Sequence, residues 1–152
     1  MYKLYIKENV TSKELLDYAL FDYASIKDYE LYYNKYGKPY LKDSNIYFNI
    51  SHTRNLVICA ISDREIGVDI EYLRYNELVS KRILNQKEYS ILLSSNNKEE
   101  VFTIMWTSKE SYVKMLGIGL EYGLKNVDTT ILNSKIDIKK YNDYIIAISK
   151  EE

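Results

Sequence analysis

Residues 46–72 read IYFNISHTRNLVICAISDREIGVDIEY, and this stretch decides the fold. Three runs within it, 46–51, 55–62 and 65–72, are rich in β-branched and aromatic residues and are separated by short polar breaks, so they are predicted as three strands of an antiparallel meander. The last run alternates. Ile66, Val68 and Ile70 point to one face, and Gly67, Asp69 and Glu71 to the other, because successive side chains of a strand leave on opposite sides. Outward from this centre, YKLYIK at 2–7 is strand-like, and Thr11-Ser12-Lys13-Glu14 has the form of a capping box opening a helix through about Ala24. Tyr36-Gly37-Lys38-Pro39 is a turn. Residues 77–94 read as helix with a break near Asn85, and 98–116 as the strongest helical pattern, ended by Gly117 and Gly119. Beyond it, DTTIL, KIDIKKY and DYIIAIS are short and β-rich. Strands and helices thus mix along the chain, which predicts an α+β fold with a small antiparallel sheet packed against helices.

The totals set outer limits. At 152 residues the chain suits one domain, residues 1–152, with one core. The 21 basic and 22 acidic side chains nearly cancel, so no net field favours nucleic acid or an anionic membrane, and neither is expected as a partner. The single cysteine, Cys59, lies in an apolar run and has no partner for an internal disulfide. With no signal-like segment and no apolar run of spanning length, a cytoplasmic location is expected. The seventeen tyrosines read as packing residues.

Four segments carry possible chemistry. Asp69 and Glu71 share a strand face, and two carboxylates there suit a hard cation such as Mg²⁺, with Gly67 beside them clearing space. Solvated acidic residues on an edge strand would look the same. In the 98–116 helix, Thr103, Thr107, Glu110 and Lys114 form a polar stripe opposite Val101, Phe102, Met105, Val113 and Leu116. Glu110 can complete a three-carboxylate site while Lys114 meets phosphate charge; equally, the two residues suit an ordinary i,i+4 surface ion pair. Ser51-His52 at a strand end supplies hydroxyl and ring donors for phosphate oxygens. A serine-hydrolase arrangement fails, since Ser51 and His52 adjoin in sequence and no G-x-S-x-G elbow occurs. Gly37-Lys38-Pro39 sets a lysine on a rigid turn.

In order, Gly37-Lys38-Pro39, Asn49-Ile50-Ser51-His52, Gly67-Val68-Asp69-Ile70-Glu71 and Trp106-x-x-Lys109-Glu110-Ser111-x-x-Lys114 closely resemble the 4′-phosphopantetheinyl transferases, over roughly residues 10 to 150. The resemblance is to the surfactin type, which activates peptide and polyketide synthetases. It implies Mg²⁺ at Asp69, Glu71 and Glu110, and coenzyme A contacts from Lys38, Pro39, Ser51, His52 and Lys114. Glu110 and Lys114 are the implied catalytic pair, with Glu110 or a water beside the cation taking a proton. The implied reaction is of the holo-[acyl-carrier-protein] synthase kind: phosphopantetheine passes from coenzyme A to a serine of an acyl or peptidyl carrier protein, releasing 3′,5′-adenosine bisphosphate. By the same resemblance the first half, about 1–62, is shorter than is usual in the family, against a second half of about 63–152. Lys13 is the replacement offered for basic residues that hold the 3′-phosphate. A monomer is expected, with pairing of two chains as the alternative. The rival from another class is a module of the same fold that grips coenzyme A or a carrier protein without turnover.

Overall fold

A computed structural model describes residues 1–119 and 122–152. The order is β1 (Tyr2–Glu8), α1 (Ser12–Ala24), β2 (Leu31–Tyr33), β3 (Pro39–Leu41), β4 (Tyr47–Thr53), β5 (Leu56–Ser62), β6 (Ile66–Tyr72), α2 (Glu77–Ile83), α3 (Gln86–Ser94), α4 (Lys98–Leu116), β7 (Ile136–Tyr141) and β8 (Tyr144–Lys150). The fold is α+β, as the sequence indicates. Helix ends follow their caps: the side chains of Thr11, Asn76, Asn85 and Asn97 each accept the backbone N–H three residues on, and Asn85 with Glu88 closes a full capping box that divides α2 from α3. Gly117, at φ +65°, ends α4 in the left-handed conformation.

The meander is corrected. β4 and β5 do form a hairpin, but β6 does not pair with β5; it joins β8, which pairs with β7, while β1 takes the free edge of β5. The reason lies in β5, Leu56–Ser62, whose seven residues are all buried. With β1 on one edge and β4 on the other, no ladder position remains for β6. The alternate faces of β5 are both used. Val57, Cys59 and Ile61 pack on Leu15, Leu16, Ala19 and Leu20 of α1, while Leu56, Ile58 and Ala60 pack on Ile66, Val68 and Ile70 of β6 with Ile146 and Ile148 of β8. Two three-stranded antiparallel sheets therefore face one another across a shared apolar layer.

Two further expectations change. DTTIL forms turns instead of a strand, with a 3-10 segment following at Asn133–Lys135, because its polar groups are taken by carboxylates: Asp128 accepts from the N–H and hydroxyl of Thr130, and Glu88 from those of Thr129. In α4 the polar stripe is not a solvent face. Thr103 and Thr107 are buried, and their hydroxyls donate to carbonyls one turn back, at Glu99 and Thr103 respectively. Leu116, placed on the apolar side by the sequence, is exposed.

Candidate active site

Gly67, Asp69 and Glu71 face α4, as the alternation predicts, but the glycine serves the helix and not a cation. A Cβ on Gly67 would lie 2.0 Å from the Ser111 carbonyl oxygen and 2.3 Å from the Met115 nitrogen. Only glycine lets the α4 backbone come down on β6 so closely. That close approach brings Lys114 over β6, where its ammonium donates to the Val68 carbonyl at 3.0 Å and to Asp69 Oδ1 at 3.3 Å. It also reaches across to the Ile50 carbonyl of β4 at 3.4 Å. Lys114 therefore pairs with Asp69, and not with Glu110 one turn before it.

β4 and β6 lie side by side without a backbone ladder. Side chains replace it: Val68 N–H donates to Asn49 Oδ1 at 2.8 Å, and Ile70 N–H to Ser51 Oγ at 3.4 Å. Each bond spans nineteen residues, so the two strands run parallel along this seam. Ser51 Oγ in turn donates to Asp69 Oδ1 at 3.0 Å. Asp69 is thus held on one oxygen only. Its Oδ2 is buried and has no hydrogen-bond partner, an unusual state for a carboxylate and one that calls for an explanation.

The electrostatics point the same way. Burial raises the Asp69 carboxyl to about 6, with Glu110 adding to the rise while Lys114 and Ser51 oppose it. Glu71 is pushed up to about 7 by burial and then by the charge of Asp69, with Arg74 opposing. Glu110 thus acts on both other carboxylates and Asp69 acts on Glu71, so the group carries more negative than positive charge. Glu71 leans on Arg74 at 3.4 Å, and Glu110 Oε1 accepts from Trp106 Nε1 at 3.2 Å. The Arg74 guanidinium lies over the Trp106 ring, 4.4 Å from its centre, so one stacked pair tethers both outer carboxylates. In this arrangement no three His, Cys, Asp or Glu side chains among the described residues are gathered as a metal-holding group.

Two cavities adjoin the seam. The smaller, about 370 Å³, is lined by Glu110, Lys114, Asn49 and the Gly37–Pro39 turn. The larger, about 770 Å³, lies over α1, is lined by Lys13 among others, and contains none of the carboxylates. They share Pro39 and Ile50. Of the two, only the smaller is lined by a carboxylate of the cluster, Glu110, and it places Lys114 beside it.

The remaining sequence candidates fall in different places. The Lys38 ammonium is buried and donates to Glu65 Oε2 at 2.7 Å, the Met115 carbonyl at 2.9 Å and the Ile66 carbonyl at 3.2 Å, which uses all three of its donors. It closes the end of α4 against the start of β6, so in this arrangement the ammonium expected to meet phosphate is engaged inside the fold. Ser51 is buried against Asp69. His52, next to it, is exposed and lines neither cavity. Lys13 is exposed at the mouth of the larger cavity and pairs with Asp17 at 2.7 Å. Asn49, Arg74 and Trp106 were given no role by the sequence reading. The signals for them in the sequence are the polarity of Asn49 inside an apolar strand and the place of Asn49 and Trp106 in the ordered motif. Lys109 is fully buried and pairs with Glu88 at 2.7 Å, while donating to the Leu124 and Val127 carbonyls. It fixes the segment after α4.

Residues 65–148, which run from the start of β6 into β8 and include every carboxylate of the cluster, match the model of the 4′-phosphopantetheinyl transferase superfamily. The chain belongs to that superfamily. It is 41% identical over 98 residues to 4′-phosphopantetheinyl transferase HetI of Nostoc sp., covering 58% of this chain and 41% of that protein. To 4′-phosphopantetheinyl transferase Sfp of Bacillus subtilis it is 40% identical over 94 residues, covering 59% and 42%. It spans about two fifths of the length of these curated relatives. Among solved structures, holo-[acyl-carrier-protein] synthase of Thermotoga maritima aligns with 58% of this chain and 64% of its own, at 17% identity and a TM-score of 0.41. No helix among the described residues is long and apolar enough to cross a membrane.

Proposed function

We propose that this chain transfers the 4′-phosphopantetheine arm of coenzyme A to a serine of an acyl or peptidyl carrier protein, with Mg²⁺ bound at Asp69, Glu71 and Glu110. The observation that carries the reading is the buried, unpartnered Oδ2 of Asp69, in a group of three carboxylates met by only two cations, Lys114 and Arg74. A hard divalent cation fits this donor set, since Mg²⁺ takes a few carboxylate oxygens and leaves its other positions to water and phosphate. Asp69 Oδ2 would hold it, joined by Glu71 and Glu110 once these leave Arg74 and Trp106. When bound, the cation supplies Lewis-acid charge neutralisation at the pyrophosphate and a template for its orientation.

The protein's own groups do the rest. Lys114, anchored across the seam, sets an ammonium beside Asp69 and the smaller cavity, where it neutralises charge growing on the departing oxygen. Glu110 lines the same cavity and serves as the base that takes the proton of the carrier serine as its oxygen attacks the β-phosphorus. The products are the phosphopantetheinyl serine and 3′,5′-adenosine bisphosphate. Such transfer is mainly positioning and charge neutralisation, which suits a site built from fixed carboxylates and one lysine. The two adjoining cavities offer an elongated ligand a continuous surface over Pro39 and Ile50, with Lys13 at the far mouth for the 3′-phosphate. The chain acts as one domain, residues 1–152, whose halves of about 1–62 and 63–152 meet at the β4–β6 seam.

The test is direct. The chain is incubated with coenzyme A, Mg²⁺ and an unmodified carrier protein, and the carrier is weighed by mass spectrometry. A gain of one phosphopantetheine, absent when the metal is chelated, is expected. An unchanged carrier together with binding of coenzyme A would overturn the reading in favour of a non-catalytic binding module.

A further inference from the structure

The β4–β6 seam departs from how proteins usually join neighbouring strands. Two parallel strands in adjacent positions would ordinarily share a ladder, yet here the Val68 and Ile70 N–H groups are satisfied by the side chains of Asn49 and Ser51. Both residues are buried, at 6% exposure each. A ladder would bring the strands together and leave no room between them. Side-chain bridges hold them apart, and the space so kept is where the Lys114 ammonium enters, bonded to a carbonyl of each strand.

Ser51 has a second bond in this gap. Its hydroxyl has one proton to give, and it gives it to Asp69 Oδ1 at 3.0 Å while accepting from Ile70 at 3.4 Å. Lys114 reaches the same Oδ1. The two oxygens of Asp69 are thereby made unequal: one carries two donors and the other carries none. A carboxylate free to turn about its bond to Cβ would share its donors between both oxygens. A carboxylate pinned at Oδ1 from two directions presents Oδ2 alone.

We infer that Ser51 is a positioning residue for Asp69, which it locks so that Oδ2 is the single oxygen offered to a divalent cation, and that it is not a phosphate contact. This rests on the proposed function above for the identity of the cation. Asn49 supports it by fixing the spacing of the seam two residues earlier. The role differs from that of a general structural serine, because it predicts where the loss will appear. An outer partner of a metal ligand typically changes metal affinity about 10- to 100-fold when removed, whereas a phosphate contact changes the KM for coenzyme A.

The experiment uses the full chain as wild type, Ser51→Ala and Ser51→Thr. Mg²⁺ is titrated into each and followed by calorimetry, and kcat and KM for coenzyme A are then measured at saturating Mg²⁺. Ser51→Ala is expected to bind Mg²⁺ about 10-fold more weakly with KM for coenzyme A unchanged, and Ser51→Thr, which keeps the hydroxyl, to recover most of the affinity. Urea unfolding without metal adds a readout independent of turnover: Ser51→Ala should shift the midpoint less in an Asp69→Ala background than in the wild type, because the partner it loses is already gone. Ser51→Ala with wild-type Mg²⁺ affinity and a raised KM for coenzyme A would overturn the positioning role alone, as would equal midpoint shifts in the two backgrounds. A wild-type chain that takes up no Mg²⁺ would overturn the proposed function and this role with it.

Discussion

Asp69→Asn isolates the cost of keeping a charged carboxylate in the seam. Asparagine keeps the shape of the side chain and leaves an oxygen for Ser51 and Lys114, but it cannot ionise. Asp69 has an ordinary value of 3.8 and stands at about 6 in the folded chain, raised first by burial. At about 1.4 kcal/mol per unit, the shift of about two units means that the ionised form destabilises the fold by ~3 kcal/mol. The amide nitrogen at the Oδ2 position inherits a site with no partner, which returns about 1 kcal/mol of that. The variant should therefore be ~2 kcal/mol more stable than the wild type at pH 7.5 without metal. The sign follows from proton counting. Between about pH 4 and 6 the folded chain holds a proton on Asp69 that the unfolded chain has released, so wild-type stability falls as pH rises through that window and this term is flat above it. As pH falls through the same window the advantage of the variant must shrink, and it reverses slightly below pH 4, where Asp69 is neutral in both states. Urea unfolding of both proteins in chelator at pH 4, 5 and 7.5 measures this, since groups that do not feel Asp69 cancel in the difference, while Glu71, relieved of the Asp69 charge in the variant, adds to it in the same sense. Added Mg²⁺ should stabilise the wild type and leave the variant unmoved. A stability difference that does not change with pH would refute the assignment of Asp69 as the strained carboxylate.

Glu110→Ala should lower kcat for carrier modification by about 10²- to 10⁴-fold if Glu110 is both ligand and base, read by mass spectrometry of the carrier over time; near-normal turnover would remove it from the reaction. Lys114→Ala should lower kcat by on the order of 10²-fold, whereas His52→Ala, exposed and outside both cavities, should leave kcat unchanged and raise the KM for coenzyme A; steady-state kinetics at saturating carrier protein separates the two, and an unchanged kcat/KM for Lys114→Ala would refute the first. Gly67→Ala should destabilise by on the order of 3 kcal/mol or more, because the new Cβ would meet α4 backbone 2.0 Å away and no flexible side chain can yield; a melting temperature near that of the wild type would show that α4 sits less tightly on β6.

What the sequence made legible was local. The bounds of α4 could be read because an Asn cap and a left-handed glycine mark its ends, and both signals act within one turn. The break at Asn85 was visible for the same reason. The face shared by Gly67, Asp69 and Glu71 followed from the two-residue period of a strand, which holds whatever the strand pairs with. Pairing itself was hidden. Whether β6 could continue the meander depended on β1, some sixty residues earlier, having taken the other edge of β5, and nothing in 65–72 records that competition.

The same limit explains why residue types were read more surely than their uses. Lys38 on a Gly-Pro turn has the local look of an exposed cation, and only the arrival of the α4 end and of Glu65 turns it into a buried brace. Ser51 looks like a hydroxyl at a strand end until β6 comes alongside and supplies Asp69 as its partner. In each case a motif residue near the site is consumed in holding elements together, and what it holds is Lys114 and Asp69 themselves. Lys38 ties the last turn of α4 to the start of β6, the same two elements that carry Lys114 and Asp69. Ser51 and Asn49 then set the distance of β4 from that pair. Since the Lys114 ammonium must touch carbonyls of both strands while facing a carboxylate, an error of an ångström in any of these braces would break one of its bonds. A motif spread over some eighty residues is therefore as much the record of a scaffold around two charges as of the groups that meet a substrate.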